Sequence, residues 1–312
     1  METVHRYAAF CLLWLLMLLP VQAMAQGIGG PQCTDPGAGF LWEVQSPALQ
    51  AEGGSLHLSG SIHIGKPGFY PLPPRLESLL QNADYLVFEV NPQVAEDPQV
   101  ALQMALRGML PGGQTLDQVL SADALQNLEV VLQELGLPLA NFMNYKPWML
   151  AVILTGLQAA KLGFDPAWGV ESYLLRQKAP DTGILELESW QEQLDMLEAL
   201  DPELFLDYSL EELSAGAEML ETLVDAWLCG EQATWAGIVL APIEEEQEEV
   251  YEAMFVRRNE VMADGIAELA RQGGGKWLVV VGTGHLLGGD SVVELLRRQG
   301  FAVQTHSLLD AP

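Results

Sequence analysis

Two histidines stand in similar surroundings near opposite ends of the sequence. His63 lies towards the end of the alternating apolar run 56–65, and His285 follows the apolar run 277–281, with a glycine close to each histidine. Both runs are typical of buried β-strands, so each strand would deliver an imidazole at its end. An imidazole can bind a divalent metal ion or act as a general base, and two presented in the same way suggest a single site.

Two glutamates also follow strand-like runs. Glu89 comes near the end of the run 85–90, and Glu188 ends the run 183–188. Ligands bind at the carboxyl ends of the strands in α/β sheets, so we expect these carboxylates to join His63 and His285. Such a set can bind Mn²⁺, Co²⁺ or Zn²⁺, which polarise a carbonyl and lower the pKa of a bound water. Without a metal, either histidine could act as a general base whose pKa is set by one of the glutamates.

Two other kinds of site fit the sequence less well. Ser61 and Thr283 place hydroxyls near the histidines, but neither stands in the G-x-S-x-G pattern of serine hydrolases. The glycine-rich run 282–288 follows a strand as a dinucleotide-binding loop does, but its third glycine comes one residue late. The next acidic residue beyond the following strand is Asp310, so a bound nucleotide would lack its ribose partner. Both sites stay as minor alternatives.

Three further features are interpreted as structural. His57 lies inside the first histidine-bearing run and alternates onto one face with its serines. His306 lies near the C-terminus, and we expect it to be exposed. The acidic tract 244–249 is typical of a solvated helix start or loop.

Strands and helices alternate on both sides of a long helical stretch. The predicted strands are 40–44, 56–62, 85–90, 183–188, 277–281 and 301–305, and helices are predicted at 75–82 and 291–299. The first two strands would form a hairpin through a polar loop, and the strand–helix–strand order at 56–90 favours parallel pairs. The sequence therefore predicts an α/β fold leaning towards α+β: a mixed central sheet with parallel pairs, flanking helices and a large helical insertion at about 98–272.

The N-terminus has the pattern of a removable leader. Basic residues precede the apolar run 7–19, and the small residues 23–25 form a cleavage site, so residues 1–25 are predicted to be a signal peptide. The mature protein, from Gln26, would be a single domain at 26–312, periplasmic or secreted, without stable membrane insertion. Cys33 and Cys229 are then the only cysteines, and an oxidising compartment allows either a disulfide between them or two separate small side chains.

The charge balance excludes two classes of partner. The net charge is −28, from 14 basic and 42 acidic residues. A chain this acidic is repelled by nucleic acids and by anionic membranes. The sequence sets no oligomeric state.

Several stretches in a fixed order resemble a known family. They are residues 60–63 with 69–73, 83–90, 146–149, 169–174, 187–189 with Gln193, 258–259 with Met262, and 281–286. Together they cover nearly the whole mature chain, and they are similar to the TraB/GumN family and to the Tiki metalloproteases. Asn91 stands where that family often has an aspartate, which weakens the argument for a second carboxylate there.

The resemblance implies a fold, a site and an activity. It implies an α/β sheet with two G-x-x-H histidines and a strand-end glutamate, here His63, His285 and Glu89, as catalytic residues and metal ligands. It further implies metal-dependent peptide hydrolysis with Mn²⁺ or Co²⁺ rather than Zn²⁺. Arg258 and Asn259 match a family pair that lines the pocket, and we expect them to bind substrate together with Tyr70, which follows the first histidine.

Two hypotheses of function follow. The first is an exported metal-dependent hydrolase, acting on peptide bonds, in which Glu188 orients a ligand or serves as an acid–base partner. The second is a non-catalytic envelope protein that binds a saccharide or peptide during polysaccharide export, as the association of GumN-type relatives with exopolysaccharide gene clusters suggests. The stacking surfaces would then come from tryptophans at 42, 148, 168 and 190.

Overall fold

The computed structural model describes residues 39–306. The predicted signal peptide, its cleavage site before Gln26, and Cys33 lie outside this range. Cys229 is disulfide-bonded, while its predicted partner is among the residues outside. The described residues form two compact units: a helical unit of Pro92–Phe164 and Trp190–Leu220, and a sheet unit of 39–91, Asp165–Ser189 and 221–306.

The sheet unit contains a mixed sheet. Within residues 39–306 its six strands are β1 (Leu41–Gln45), β2 (Ser55–Ser61), β3 (Tyr85–Phe88), β4 (Gly183–Glu186), β5 (Lys276–Gly282) and β6 (Ala302–Thr305). They lie in the order β4-β3-β5-β2-β1-β6. The pairs β2–β5, β5–β3 and β3–β4 are parallel, whereas β1 is antiparallel to both β2 and β6. This confirms the predicted α/β fold with parallel pairs.

Helices account for most of the remaining described chain. In chain order they are α1 (Pro47–Glu52), α2 (Pro74–Asn82), α3 (Pro98–Arg107), α4 (Ala122–Glu134), α5 (Pro147–Lys161), α6 (Val170–Gln177), α7 (Trp190–Ala199), α8 (Pro202–Cys229), α9 (Gln232–Glu246), α10 (Glu248–Tyr251), α11 (Arg257–Gln272) and α12 (Val292–Arg298). A π-helix, Glu252–Val256, joins α10 to α11, and 3₁₀ turns include Pro67–Phe69, Pro166–Trp168 and Thr283–Leu286. No described helix has the length and apolar character needed to span a membrane.

The connection between β1 and β2 differs from the prediction. A polar loop was expected, but the chain forms α1 there. Ser46 caps this helix by accepting the amide of Leu49 at 3.2 Å, and Pro47 occupies its first turn. Gly53 then ends it with a φ of 67°, a conformation that favours glycine. The helix signals were present in the sequence, and the pairing of β1 with β2 is nevertheless as predicted.

The centre of the sheet determines where polar groups can emerge. β5 lies between β2 and β3, and its residues from Trp277 to Val281 are all buried. Parallel strands covered on both faces are apolar along their whole length. In β5 the buried run is apolar, so polar side chains appear beyond its end, where His285 lies, as Glu89 and Glu188 lie beyond the ends of β3 and β4.

The helical unit is held by its own apolar core and by one ionic cluster. Its fully buried side chains include Leu116, Leu128 and Phe142. Arg107 and Lys146 both bind Glu198, at 2.6 and 2.8 Å. We find no reason to assign a site to this cluster, because each charge in it has a partner.

Candidate functional site

The strand ends of the sheet unit bring together the three residues predicted to bind metal. His63 follows β2, Glu89 follows β3, and His285 lies in the 3₁₀ turn after β5. A Cβ placed on Gly282 would lie 3.1 Å from Oε1 of Glu89, 3.4 Å from Nε2 of His63 and 3.5 Å from Cδ2 of His285. The three side chains therefore surround one point, which a side chain at position 282 would occupy and which Gly282 leaves open.

Glu89 is the shared carboxylate of this cluster. Its Oε1 accepts the amide of Gly282 in a close contact and lies 3.7 Å from Nε2 of His285. Its Oε2 accepts Nη2 of Arg258 at 2.9 Å. Burial opposes ionisation of Glu89, but His285, Arg258, His63 and the Gly282 amide together lower its pKa to about 2. Glu89 is therefore a carboxylate at neutral pH.

Arg258 ties Glu89 to Glu188. Its Nε donates to both oxygens of Glu188 at 3.0 Å, and its Nη2 donates to Oε2 of the same residue at 2.7 Å. Burial alone would lower the pKa of Arg258, but the two glutamates raise it above its ordinary value. The structure thus places Glu188 in the cluster as the partner of Arg258, because both of its oxygens face the guanidinium.

His285 is held from behind by an amide. Its Nδ1 lies 2.7 Å from Oδ1 of Asn259, and Nδ2 of Asn259 donates to the carbonyl of Asp290 at 2.8 Å. That second bond turns Oδ1 towards the histidine, so in neutral His285 the proton is on Nδ1 and Nε2 is unprotonated. Burial lowers the pKa of His285, and although Glu89 raises it, Arg258 and His63 lower it again, to about 3.

A π-helix brings Arg258 and Asn259 to the site as neighbours. The π-helix Glu252–Val256 leads directly into α11, and Nη1 of Arg258 donates to the carbonyl of Met254 at 3.2 Å. Single turns of this kind inside helices often occur at functional sites. Here the guanidinium reaches Glu89 while the next residue in sequence reaches His285.

The amino-acid pattern did not single out Glu171. Its Oε1 lies 2.8 Å from Nδ1 of His63 and also accepts the hydroxyl of Ser61 in a close contact. Burial lowers the pKa of His63, but the carboxylates of Glu171 and Glu89 outweigh it and raise that pKa to about 8. The available signal was a carboxylate beside Val170 and one turn before Leu174, two apolar residues that are buried on the same short helix.

The sequence of the chain matches that of a known protein family. The sequence profile of the TraB/PrgY/gumN family matches residues 40–305. The chain belongs to the TraB/PrgY/gumN family. The matched range contains every residue of the cluster, and it confirms the resemblance found in the sequence.

Two relatives of this TraB/PrgY/gumN protein match over most of their length. They are the uncharacterized protein YbaP of Escherichia coli (strain K12) and its namesake in Shigella flexneri. Each is 30% identical over 244 residues, which cover 77% of this chain and 87% of the relative. The search of solved structures gives no significant match. Family membership is thus established, while the relatives' names describe no reaction.

Tyr70 lies in the loop that follows His63. Its hydroxyl donates to the carbonyl of Trp168 at 2.6 Å, and its ring stacks on Tyr173 with centroids 4.0 Å apart. Burial raises the pKa of Tyr70 above its ordinary range. Since the hydroxyl is already engaged, a substrate contact by this family member would use the half-buried ring.

The two other histidines within residues 39–306 lie outside the cluster. His57 is buried in β2, as predicted, and its burial lowers its pKa to about 4 against the effect of Glu43. The prediction that His306 is exposed is wrong. It is half-buried, with Nε2 3.0 Å from Glu43 and Nδ1 2.9 Å from Arg75, because the pairing of β6 with β1 carries it there.

The tryptophans proposed as stacking surfaces are mostly inaccessible. Trp42, Trp148 and Trp190 are buried, and only Trp168 is half-buried, with Arg176 5.4 Å from its ring. A saccharide could therefore stack on at most one of the four. This arrangement does not favour the second hypothesis drawn from the sequence.

The cluster has the donor types of a metal site without the finished geometry. Within residues 39–306, no group of three or more His, Cys, Asp or Glu side chains is arranged to hold a metal ion as it stands. Two donors bonded to one ion at ~2.1 Å lie roughly 3.4 Å apart, and Nε2 of His285 is 3.7 Å from Oε1 of Glu89. For this pair the separation is close to that value, and two imidazoles with a carboxylate are donor types that fit a divalent ion.

Proposed function

We propose that this protein is an exported metal-dependent hydrolase that cleaves peptide bonds, with His63, Glu89 and His285 as the metal ligands. The observation that supports it most directly is the convergence of these three side chains around the point left open by Gly282. They come from three different strand ends, and their meeting is what a shared ligand requires. Membership of the TraB/PrgY/gumN family is consistent with the proposal without specifying the reaction.

The orientation of both imidazoles supports metal binding. Each Nδ1 faces an oxygen acceptor, Glu171 for His63 and Asn259 for His285. Metal-binding histidines are held in this way, with one nitrogen engaged by the surrounding protein and the other left for the ion. Two imidazole nitrogens and a carboxylate oxygen suit Mn²⁺, Co²⁺ or Zn²⁺. We propose Mn²⁺ or Co²⁺, following the family resemblance.

The charge count of the cluster also supports a cation. Three carboxyl groups, those of Glu89, Glu171 and Glu188, are buried in the cluster. Arg258 pairs with Glu89 and Glu188, and Glu171 lies beside His63. With His63 neutral, as a metal ligand must be, the formal charges leave an excess of two negative charges. The proton that the raised pKa of His63 favours offsets one of them in the metal-free protein, and a divalent ion at the open point would balance the whole excess.

Each side chain of the cluster has a role in this proposal. A bound divalent ion would polarise a peptide carbonyl and lower the pKa of a water molecule. Arg258 binds Oε2 of Glu89 and so keeps Oε1 turned towards the histidines. Glu188 fixes Arg258 through both oxygens, which makes it a positioning residue rather than a free base. Tyr70 and Asn259 border the cluster, and Tyr70 would contact substrate with its ring.

The test uses the purified mature protein. Its metal content is measured first, and turnover of a peptide library is then compared with that of His63→Ala, His285→Ala and His306→Ala. We expect bound metal and a loss of at least about 100-fold in turnover for the first two variants, by analogy with other groups that act on the reacting atoms. His306→Ala is the matched control, because that histidine lies outside the cluster, and circular dichroism checks that each variant is folded.

Two results would overturn the proposal. Unchanged turnover in both His63→Ala and His285→Ala would remove the cluster from the reaction. Binding of peptide or saccharide without turnover, by protein that contains no metal, would instead support the non-catalytic envelope protein.

A further inference from the structure

His63 has a carboxylate partner that is fixed more firmly than a surface ion pair. Glu171 is 4% exposed at its side chain, and its Oε1 accepts the hydroxyl of Ser61 and lies 2.8 Å from Nδ1 of His63. Ser61 and His63 are separated by a single residue in the chain. One short segment therefore places both groups beside the same oxygen.

The backbone keeps Glu171 in register with that segment. The amide of Val170 donates to the carbonyl of Ile62 at 3.0 Å, and a Cβ on Gly169 would lie 2.3 Å from the carbonyl oxygen of His63. The start of α6 thus packs directly against the main chain that carries His63. Glu171 also stands in the first turn of α6, where a negative charge is stabilised by the helix dipole.

We propose that Glu171 is a positioning residue that keeps the proton of neutral His63 on Nδ1. Nε2 is then unprotonated on the side of the ring that faces the open point. An ionised carboxylate only accepts hydrogen bonds, and neutral imidazole has a single N–H. Carboxylates approach both sides of this ring, but Glu171 lies 2.8 Å from Nδ1, whereas the oxygens of Glu89 already accept from the Gly282 amide and from Arg258. Glu171 therefore favours the tautomer protonated on Nδ1. Free neutral histidine prefers the proton on Nε2, and in that tautomer Nε2 could not coordinate a metal ion at the open point.

The role of Glu171 in metal binding rests on the proposed function, whereas its effect on the tautomer of His63 does not. If Nε2 of His63 binds a metal ion, Glu171 sets the atom that binds. The tautomer itself is a property of the protein without metal, and it can be measured whether or not the protein is a hydrolase.

The deciding measurement is ¹⁵N NMR of the imidazole nitrogens in metal-free mature protein. The 5 histidines of the chain, one of them in the predicted leader, make assignment practical. Spectra are recorded at about pH 9.5, above the raised pKa of His63, so that the ring is neutral. We expect wild-type His63 to be protonated on Nδ1. Glu171→Leu should shift it to Nε2, whereas Glu171→Gln, which keeps an acceptor oxygen, should restore the wild-type tautomer.

Glu77→Gln is the matched control. Glu77 is a carboxylate of the same unit that accepts the hydroxyl of Tyr173 at 2.6 Å and the amide of Leu72 at 2.8 Å. Its loss disturbs the outer side of α6 without touching His63. The tautomer of His63 should be the same in this variant as in the wild type.

Binding of Co²⁺ supplies the second readout. Loss of the residue behind a metal-binding histidine weakens affinity about 10–100-fold, so we expect that loss in Glu171→Leu and a smaller one in Glu171→Gln. Two NMR results would overturn the role of Glu171. One is an unprotonated Nδ1 of His63 in the wild type, and the other is an Nδ1 that stays protonated in folded Glu171→Leu. Wild-type protein that binds no Co²⁺ would count against the proposed function alone, because the NMR result is independent of it.

Discussion

The ends of β2 and β5 share a sequence pattern and differ in what surrounds their histidines. Each has a glycine three residues before the histidine, Gly60 and Gly282. His63 faces a carboxylate and is 27% exposed at its side chain, whereas His285 faces an amide and is 6% exposed. The pKa of the first rises to about 8 and that of the second falls to about 3. The local pattern delivers an imidazole, and residues distant in sequence decide its protonation.

This difference gives the two imidazole rings different protonation states. Neighbouring titratable groups whose pKa values are moved apart can hold different protonation states at one pH. In the metal-free protein His63 is the ring that takes up a proton near neutral pH, and His285 stays neutral. Glu89, which both rings approach, is ionised throughout that range because its pKa is about 2.

The largest expected effect comes from removing the cation that serves both strand ends. Arg258→Ala would leave Glu89 and Glu188 buried without the guanidinium. Breaking a buried ion pair by removing one partner costs about 3–5 kcal/mol, so we expect that loss in the free energy of unfolding, measured by urea denaturation of metal-free protein.

Arg257→Ala is the control for this prediction. Arg257 is the preceding residue, its side chain is 72% exposed, and its recorded ion pair is with Glu252 at 3.4 Å. Exposed pairs contribute about 0–1 kcal/mol. Equal stability losses in the two variants would show that the guanidinium of Arg258 is not needed by the buried carboxylates.

A third histidine, His57, tests whether burial alone can lower a pKa in this sheet. It faces Glu43, which raises its pKa, and His306 and Arg75, which lower it, yet burial is the largest influence. Its folded pKa of about 4 lies below the ordinary 6.5. The unfolded chain therefore takes up the proton first as pH falls, and stability should decrease between about pH 6.5 and 4.

Replacing His57 should remove that part of the pH dependence. The shift corresponds to at most about 3 kcal/mol, so the free energy of unfolding of His57→Gln should fall less steeply than that of the wild type over the same range. The measurement is urea denaturation at several pH values. Parallel curves for the two proteins would mean that His57 is not responsible for the loss.

The fold and the three converging residues could be predicted because they depend on local patterns. Apolar runs gave the strands, and the rule that ligands bind at the carboxyl ends of parallel strands brought His63, Glu89 and His285 together. The strand–helix–strand order predicted parallel pairs, which β2, β5 and β3 form, although the position of β5 between the other two was not predicted. These features need only the period of the sequence and the geometry of a sheet.

The partners of those residues could not be predicted in the same way. Glu171 lies 108 positions after His63, and although it stands between apolar residues of a helix, nothing in the sequence links it to that histidine. Glu188 was expected to act on a ligand, but its contact with Arg258 depends on a π-helix that sequence period does not reveal. Contacts between distant segments depend on how the elements pack. The sequence pattern predicts which residues are buried, but not which buried residues touch each other.

Exchanging the chemical types of Glu171 and Asn259 would test whether these partners cause the difference in pKa between His63 and His285. In Glu171→Gln, His63 loses the carboxylate that opposes burial, and in Asn259→Asp, His285 gains one. We expect the pKa of His63 to fall, and that of His285 to rise, by at least about one unit, which corresponds to ~1.4 kcal/mol. NMR titration of metal-free protein measures both values, with Glu77→Gln as the unchanged control. If both pKa values stayed near 8 and 3, exposure rather than the partner would explain the difference, since His63 is the more accessible ring.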